Sequence, residues 1–264
     1  MEAACRLRVY GVRGSFPRTE AEFLAYGGNT SCFSLEWPGG LAVLDAGTGL
    51  VKLGETLADR RTLHILIGHL HLDHLLGLTV LPQLYDAGGE VFLYGPAGLE
   101  RGVRTLLGPP YWPLGVGELP ARVHFRELAA GERFSLPEAA VETMDSSHPG
   151  GGLLYRLEAG GRRVVYGLDW ETDAVAFARL ADFARGADLL IWDADYAPED
   201  PHPGWGHSTW AQGLALAQAA EVRQVLMSHY DRKYTDEFLV KQEALAQAAW
   251  RSCRFAREGM EIEL

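Results

Sequence analysis

The 264-residue sequence predicts an α/β (α+β) fold built as a four-layer αββα sandwich, with two β-sheets face to face and helices outside. Three observations lead there. Short β-branched and apolar runs, most of them bounded by Gly, Pro or Asp, follow one another through the first half. In the second half such runs alternate with longer segments of helical character. No Pro/Ser-rich linker, internal repeat or low-complexity tract divides the chain, so it reads as one domain over residues 1–264.

Taken in order, the strand-like runs are Leu7–Tyr10, Ser31–Glu36, Leu41–Leu44, His64–Ile67, Val91–Tyr94 and Arg122–Arg126. Ala140–Thr143, Leu153–Glu158, Val164–Tyr166, Leu189–Trp192 and Gln224–Met227 follow. The helix-like segments are Gly49–Ala58, Asp73–Tyr85, Gly98–Leu107, Thr172–Ala184, Thr209–Ala220 and Asp236–Trp250.

Composition bounds the function. A chain 47% hydrophobic and 22% charged can bury a substantial core. It contains no run of about 18 apolar residues, so no transmembrane helix is expected. Met1 to Tyr10 carries Glu2, Arg6 and Arg8 and lacks the apolar run of a signal peptide. A cytoplasmic location without a membrane partner is the expectation. Cys5, Cys32 and Cys253 lie far apart and outside any Cys-x-x-Cys pair, and read as small buried thiols. The net charge of −11 argues against long nucleic acid as a partner, since a polyanion is held by a basic footprint. The adjacent pairs Arg60-Arg61 and Arg162-Arg163 read as solvated turn residues.

Chemistry is concentrated in His69-Leu70-His71-Leu72-Asp73-His74, directly after the strand His64–Ile67. In an extended segment residues two apart share a side, so His69 and His71 can grip one ion. Asp73 and His74 come where the helical pattern begins and can turn toward a second, although Asp73 in isolation could serve as an N-cap. Neutral imidazole suits zinc, iron and related ions, and a two-metal site needs acid groups to bridge them. His148, Asp169 and His229, each just past a strand, fit the remaining positions, though turn chemistry alone also places Asp and His there.

The pattern His69-x-His71-x-Asp73-His74, then an isolated His, an Asp and a His, resembles the metallo-β-lactamase fold superfamily. Tyr26-Gly27-Gly28-Asn29-Thr30-Ser31 and Leu44-Asp45-Ala46-Gly47-Thr48-Gly49 extend the resemblance over essentially the whole chain. It implies the αββα fold and two divalent ions per chain, zinc first, with manganese or iron as alternatives. It also implies that His69, His71 and His148 hold one ion and Asp73, His74 and His229 the other, with Asp169 bridging. No cysteine lies near the metal-ligating motifs, and His71 stands where flavodiiron oxidoreductases carry Glu. Leu190-Ile191-Trp192-Asp193-Ala194-Asp195-Tyr196, followed by Gly204-Trp205-Gly206-His207-Ser208-Thr209, looks like the ribonuclease Z branch. Aligned so, Asp193 takes the place of a glutamate and His207 that of the proton-donating histidine. Trp192 replaces a histidine and Asp195 a threonine, and the long Gly/Pro-rich arm that grips tRNA is not evident.

These features lead to the expectation of a phosphodiesterase acting on a small or cyclic, nucleotide-like phosphodiester. A metal-bound hydroxide would be the nucleophile, Asp73 would accept its proton, and His207, oriented by Asp193, would be the general acid. A lactonase or thioesterase-type acyl hydrolase is the alternative, and a tRNA-processing endoribonuclease ranks after it. Among other polar residues, His64 and His124 read as structural and His202 as a loop residue. Asp45 is expected to hydrogen-bond a metal ligand or the Gly47 turn. Tyr111-Trp112 either stack on a base or form an exposed loop patch.

Overall fold

Residues 5–264 are described by a computed structural model. The first sheet begins with β1 (Arg6–Gly11), β2 (Cys32–Trp37), β3 (Gly40–Leu44), β4 (Thr62–Leu66), β5 (Glu90–Gly95) and β6 (Arg122–Glu127). The second contains β7 (Arg133–Leu136), β8 (Ala139–Asp145), β9 (Leu153–Ala159), β10 (Arg162–Gly167), β11 (Leu189–Asp193), β12 (Gln224–Ser228) and β13 (Cys253–Phe255). The last strand, β14 (Glu261–Glu263), returns to the first sheet, whose order is β14-β1-β2-β3-β4-β5-β6. The second sheet runs β13-β12-β11-β10-β9-β8-β7.

β3 shows why the layers form. Ala42 and Leu44 enter the core shared with Phe33, Leu157 and Val165, whereas Leu41 and Val43 face the cluster of Leu50, Leu53 and Ile65. Alternate side chains leave opposite faces of a strand, and here both faces are apolar. Tyr155, on β9, donates its hydroxyl to the Ile67 carbonyl at 2.7 Å and ties the sheets together. Outside the first sheet lie α1 (Leu50–Thr56) and α2 (Leu99–Leu106); outside the second lie α3 (Ala174–Phe183), α4 (Trp210–Ala219) and α5 (Asp236–Ala249). Local signals set the helix starts: Asp173 accepts from two backbone amides of α3, and Thr209 with Gln212 makes a capping box on α4. Strands β3 to β6 run parallel, as do β10 to β13, so both sheets end their parallel strands in loops that meet at one edge. The site forms there, as open parallel sheets favour.

Three expectations are corrected. Asp73–Tyr85 is not one helix but three short 3₁₀ turns, Leu72–His74, Leu76–Val80 and Pro82–Tyr85. Leu75, Leu78, Leu81 and Leu84 are all buried, a spacing of three that matches a 3₁₀ period rather than an α-helical one. Pro82 also removes a backbone donor, and Gly77 sits so close to the Gly47 carbonyl that a Cβ would lie 2.2 Å from it. Strands β7, β13 and β14 escaped the sequence pattern, the last two being three residues each. Arg162-Arg163 open β10 instead of forming a turn; they pair with Asp188 and Glu158. Arg60 and Arg61 lie beside Glu36 and Asp86. The three cysteines are buried. Among the described residues no helix is long and apolar enough to cross a membrane; the N-terminal reading rests partly on residues 1–4, outside the described residues.

Candidate metal centre

Each site residue stands where a strand gives out. β4 leads through Ile67-Gly68 to His69 and His71, β8 to His148, β10 to Asp169, and β12 to His229. Four of the non-glycine residues with left-handed backbone are here: Ser15 (φ 60°), Asp45 (φ 59°), Asp169 (φ 55°) and His229 (φ 63°). Such geometry costs on the order of 1 kcal/mol or more per residue, and it aims these side chains across the sheet edge instead of along the strand.

The structure brings all the sequence-predicted residues together, in two groups. Ring nitrogens of His69, His71 and His148 lie within 4.8 Å of one another, with His148 Nε2 3.3 Å from His71 Nδ1. Asp73, His74 and His229 form the second group: His74 Nε2 lies 3.2 Å from Asp73 Oδ2 and 3.3 Å from His229 Nε2. Asp169 stands between them. Its carboxylate oxygens lie 3.8 Å from His69 Nε2, 3.2 Å from His74 Nε2 and 3.4 Å from His229 Nε2.

The hydrogen bonds around these rings decide which nitrogen faces inward. Asp45 is buried and accepts from His74 Nδ1 at 2.5 Å, from the Gly68 amide at 2.6 Å and from the Tyr166 hydroxyl at 2.6 Å. His74 therefore carries its proton on Nδ1 and turns the Nε2 lone pair to the site. His148 Nδ1 donates to the Gly206 carbonyl at 3.0 Å, which leaves its Nε2 facing His71. His69 Nε2 is buried without a hydrogen-bond partner. Facing ring nitrogens, two carboxylates and an orphaned ring nitrogen make a donor set suited to cations. Imidazole nitrogen and carboxylate oxygen are what zinc and its neighbours take, so the residues fit a divalent pair.

Electrostatics agree. Burial holds the His69 imidazolium well below its ordinary pKa, so the ring is neutral as a ligand must be. Burial also opposes charge on His74 and His229, but Asp73, Asp169 and Asp45 outweigh it at His74, raising it well above the ordinary value. At His229 Asp169 and Asp73 outweigh burial and push it up to about 9. The carboxylates thus favour positive charge at these two rings, a proton or, in its place, a bound cation that would displace it.

His207 adjoins both groups without belonging to either triad. Its ring centre lies 5.0 Å from that of His148 and 5.1 Å from that of His229. Nδ1 donates to Asp193 Oδ2 at 2.8 Å, so an aspartate at the end of β11 reaches the ring directly. Burial opposes its charge, yet Asp193, Asp195 and Asp169 push it up to about 10. Thr209, not His207, caps α4.

Several contributors had no signal in the sequence pattern. The Ser15 amide donates to Asp73 Oδ2 at 2.8 Å. A Cβ on Gly14 would lie 2.6 Å from His229 Nδ1 and 2.7 Å from Asp195 Oδ1, so only glycine lets that loop pass; the glycine just after β1 was the available hint. Tyr111-Trp112 stand apart: Tyr111 is exposed and Trp112 Nε1 donates to the Tyr85 hydroxyl at 2.9 Å. His64 and His124 flank Phe92 in a stacked ladder across β4, β5 and β6, as structural residues.

Comparison with known proteins places this geometry among relatives. A family profile described as the beta-lactamase superfamily domain matches residues 42–230. The chain is 28% identical over 280 residues to a ribonuclease Z of Thermococcus onnurineus, covering 86% of this chain and 89% of that one. In fold it is similar to the metallo-beta-lactamase fold protein YhfI from Bacillus subtilis, with a TM-score of 0.78, 17% identity and full coverage of both chains. It is also similar to a diphosphatase from the PhnP family, with a TM-score of 0.73, 20% identity and 98% of each chain covered.

Proposed function

The chain belongs to the beta-lactamase superfamily, a metal-dependent hydrolase family, and from that premise we propose that it cleaves small or cyclic, nucleotide-like phosphodiesters with two divalent ions. In this reading His69, His71 and His148 hold one ion, Asp73, His74 and His229 the other, and Asp169 bridges. Zinc is the first candidate, with manganese or iron as alternatives. A bound pair supplies Lewis acidity toward the phosphoryl oxygens and a water whose pKa is brought near neutrality.

The protein residues do the rest. Asp45 fixes the His74 tautomer, and the Gly206 carbonyl fixes that of His148. Asp73, its Oδ2 held by the Ser15 amide, would accept the proton of the attacking water. His207 is the general acid. Its Nδ1 proton is committed to Asp193, so Nε2 is the nitrogen left to carry a proton for the departing alkoxide, and Asp193, Asp195 and Asp169 favour the charged ring. That Asp193–His207 contact beside both triads is the observation that carries the reading, because an acyl hydrolase with a readily leaving group has no need of it.

The ribonuclease Z relatives favour a second reading, tRNA processing, and raise it above the rank that the sequence motifs alone suggest. Against it stand the net charge of −11 and arginine pairs that lie beside local acids. Zinc- and manganese-loaded protein assayed on cyclic nucleotides, dinucleotides, precursor tRNA, lactones and thioesters separates these. Turnover of cyclic nucleotides or dinucleotides with kcat/KM above every other class is the expected result. Higher kcat/KM on precursor tRNA, or on a lactone or thioester, overturns it.

A further inference from the structure

Beyond His207 the site opens into a cavity of 340 Å³ lined by Tyr196, His202, Trp205, His207 and Arg232 and by the carboxylates of Asp195 and Asp231. That volume is of the size that holds a small organic ligand. His207 lies between the two histidine–aspartate groups and this cavity, so whatever fills the cavity is the half of the substrate that departs. We propose that Trp205 and Arg232 read that half: the departing alcohol carries an aromatic ring, stacked on Trp205, and an anionic group, held by Arg232. The proposal rests on the phosphodiesterase reading of His207 and adds a substrate class to it, a phosphodiester whose leaving nucleoside bears a further phosphate.

Two observations carry it. Trp205 is 70% exposed, yet its loop is clamped on both sides of the indole. Glu171 accepts from the Gly204 amide at 2.6 Å and from the Gly206 amide at 2.8 Å, and the Gly206 carbonyl holds His148. Gly206 has φ 86°, and a Cβ there would lie 2.2 Å from His148 Nδ1, so the loop cannot shift without moving a site histidine. A large apolar ring presented to solvent from a clamped loop beside a reaction centre is a ready stacking surface, and stacking on it tolerates any base. Arg232 supplies charge. Among the described residues its guanidinium makes no ion pair and donates no hydrogen bond, whereas its neighbour Lys233 pairs with Asp200 at 2.7 Å and Asp231 at 3.4 Å. The carboxylate next to Arg232 is thereby engaged elsewhere. Its backbone carbonyl is fixed by Arg18 at 2.5 Å. A guanidinium fork with no protein partner, on a backbone that is held, suits a phosphate better than it suits a neutral group.

The test compares kcat/KM of the metal-loaded protein on the dinucleotides ApA, pApA and ApAp. One of the phosphorylated forms, the one with its phosphate on the leaving nucleoside, should exceed ApA by about tenfold. Arg232→Ala should collapse that ratio toward one and Arg232→Lys should restore part of it, while Arg101→Ala, the same charge change on α2, should leave it intact. Trp205→Ala should raise KM for all three by about tenfold with a smaller change in kcat. An independent arm needs no turnover: adenosine 3′,5′-bisphosphate should bind the wild-type protein, and Trp205→Ala and Arg232→Ala should each weaken it about tenfold. If dinucleotides are cleaved but Arg232→Ala and Trp205→Ala alter neither ratio, KM nor bisphosphate binding, this inference falls and the phosphodiesterase reading stands. If no phosphodiester is cleaved by the wild type, that reading falls, and failure of the bisphosphate to bind then removes the inference as well.

Discussion

Asp45→Asn is the substitution for which the structure gives the most definite consequence. Asp45 is a buried carboxylate that accepts three hydrogen bonds, from His74 Nδ1, the Gly68 amide and the Tyr166 hydroxyl, all between 2.5 and 2.6 Å. Asparagine keeps the shape and tolerates the φ of 59°, so the backbone should hold. It cannot keep three donors satisfied, because one of its two terminal atoms is itself a donor. With the amide nitrogen turned to His74 and Tyr166, the imidazole must accept at Nδ1 and carry its proton on Nε2, the nitrogen that faces Asp73, Asp169 and His229. With the amide nitrogen turned to Gly68, two N–H groups collide. Either way the ring is no longer preset as a ligand. Loss of such an orienting partner lowers metal affinity by about 10–100-fold, or roughly 1.4–2.7 kcal/mol. Competition with a fluorescent zinc chelator measures this directly. Tyr166→Phe, which removes one donor and leaves the tautomer alone, should cost much less. An Asp45→Asn protein that folds and binds zinc as tightly as the wild type would refute the assignment of His74 as an oriented ligand.

Two further outcomes follow from the same geometry. Asp169→Ala, which removes the carboxylate between the two groups, should lower metal content from two ions per chain toward none, as read by elemental analysis, and retention of both ions with full activity would show that the bridge lies elsewhere. Stripping the protein with a chelator should lower Tm, since ions present at 1,000 times Kd stabilise by about 4 kcal/mol, which is roughly 10 °C for a chain of this size; calorimetry before and after restoring zinc checks this, and an unchanged Tm counts against a bound pair.

The strands were legible because positions such as Leu41–Leu44 are apolar on both faces, and a run of that kind between turn residues has few other homes. The segment Asp73–Tyr85 was misread because leucines spaced by three fit one face of an α-helix almost as well as a 3₁₀ turn. Only Gly77 and Pro82, read as breaks, point to the second. In the site, the histidines and aspartates were legible because their identities are chemically specific and their spacing is local in the first motif. What was not legible depends on backbone groups or on distant partners. Ser15 acts through its amide, which any residue could supply, and Gly14 through the absence of a side chain. Tyr166 reaches Asp45 across the sandwich, 121 residues along the chain, and no spacing rule connects them. Glu171 gathers two glycine amides of the Trp205 loop, more than 30 residues away.

The leaving-group dependence of His207→Ala tests the central claim most directly. A proton donor contributes about 10²–10⁴-fold when the departing oxygen is a poor leaving group and little when it leaves readily as an anion. His207 is free to act so because Asp193 holds the other side of its ring at 2.8 Å. The account predicts that His207→Ala, with its metal content unchanged, loses two to four orders of magnitude in kcat on an alkyl or ribose phosphodiester while keeping most of its kcat on bis(p-nitrophenyl) phosphate. Asp193→Asn should show the same selectivity to a smaller degree. Equal losses on both substrates, or loss of a metal ion from the variant, would contradict the assignment of His207 as the general acid.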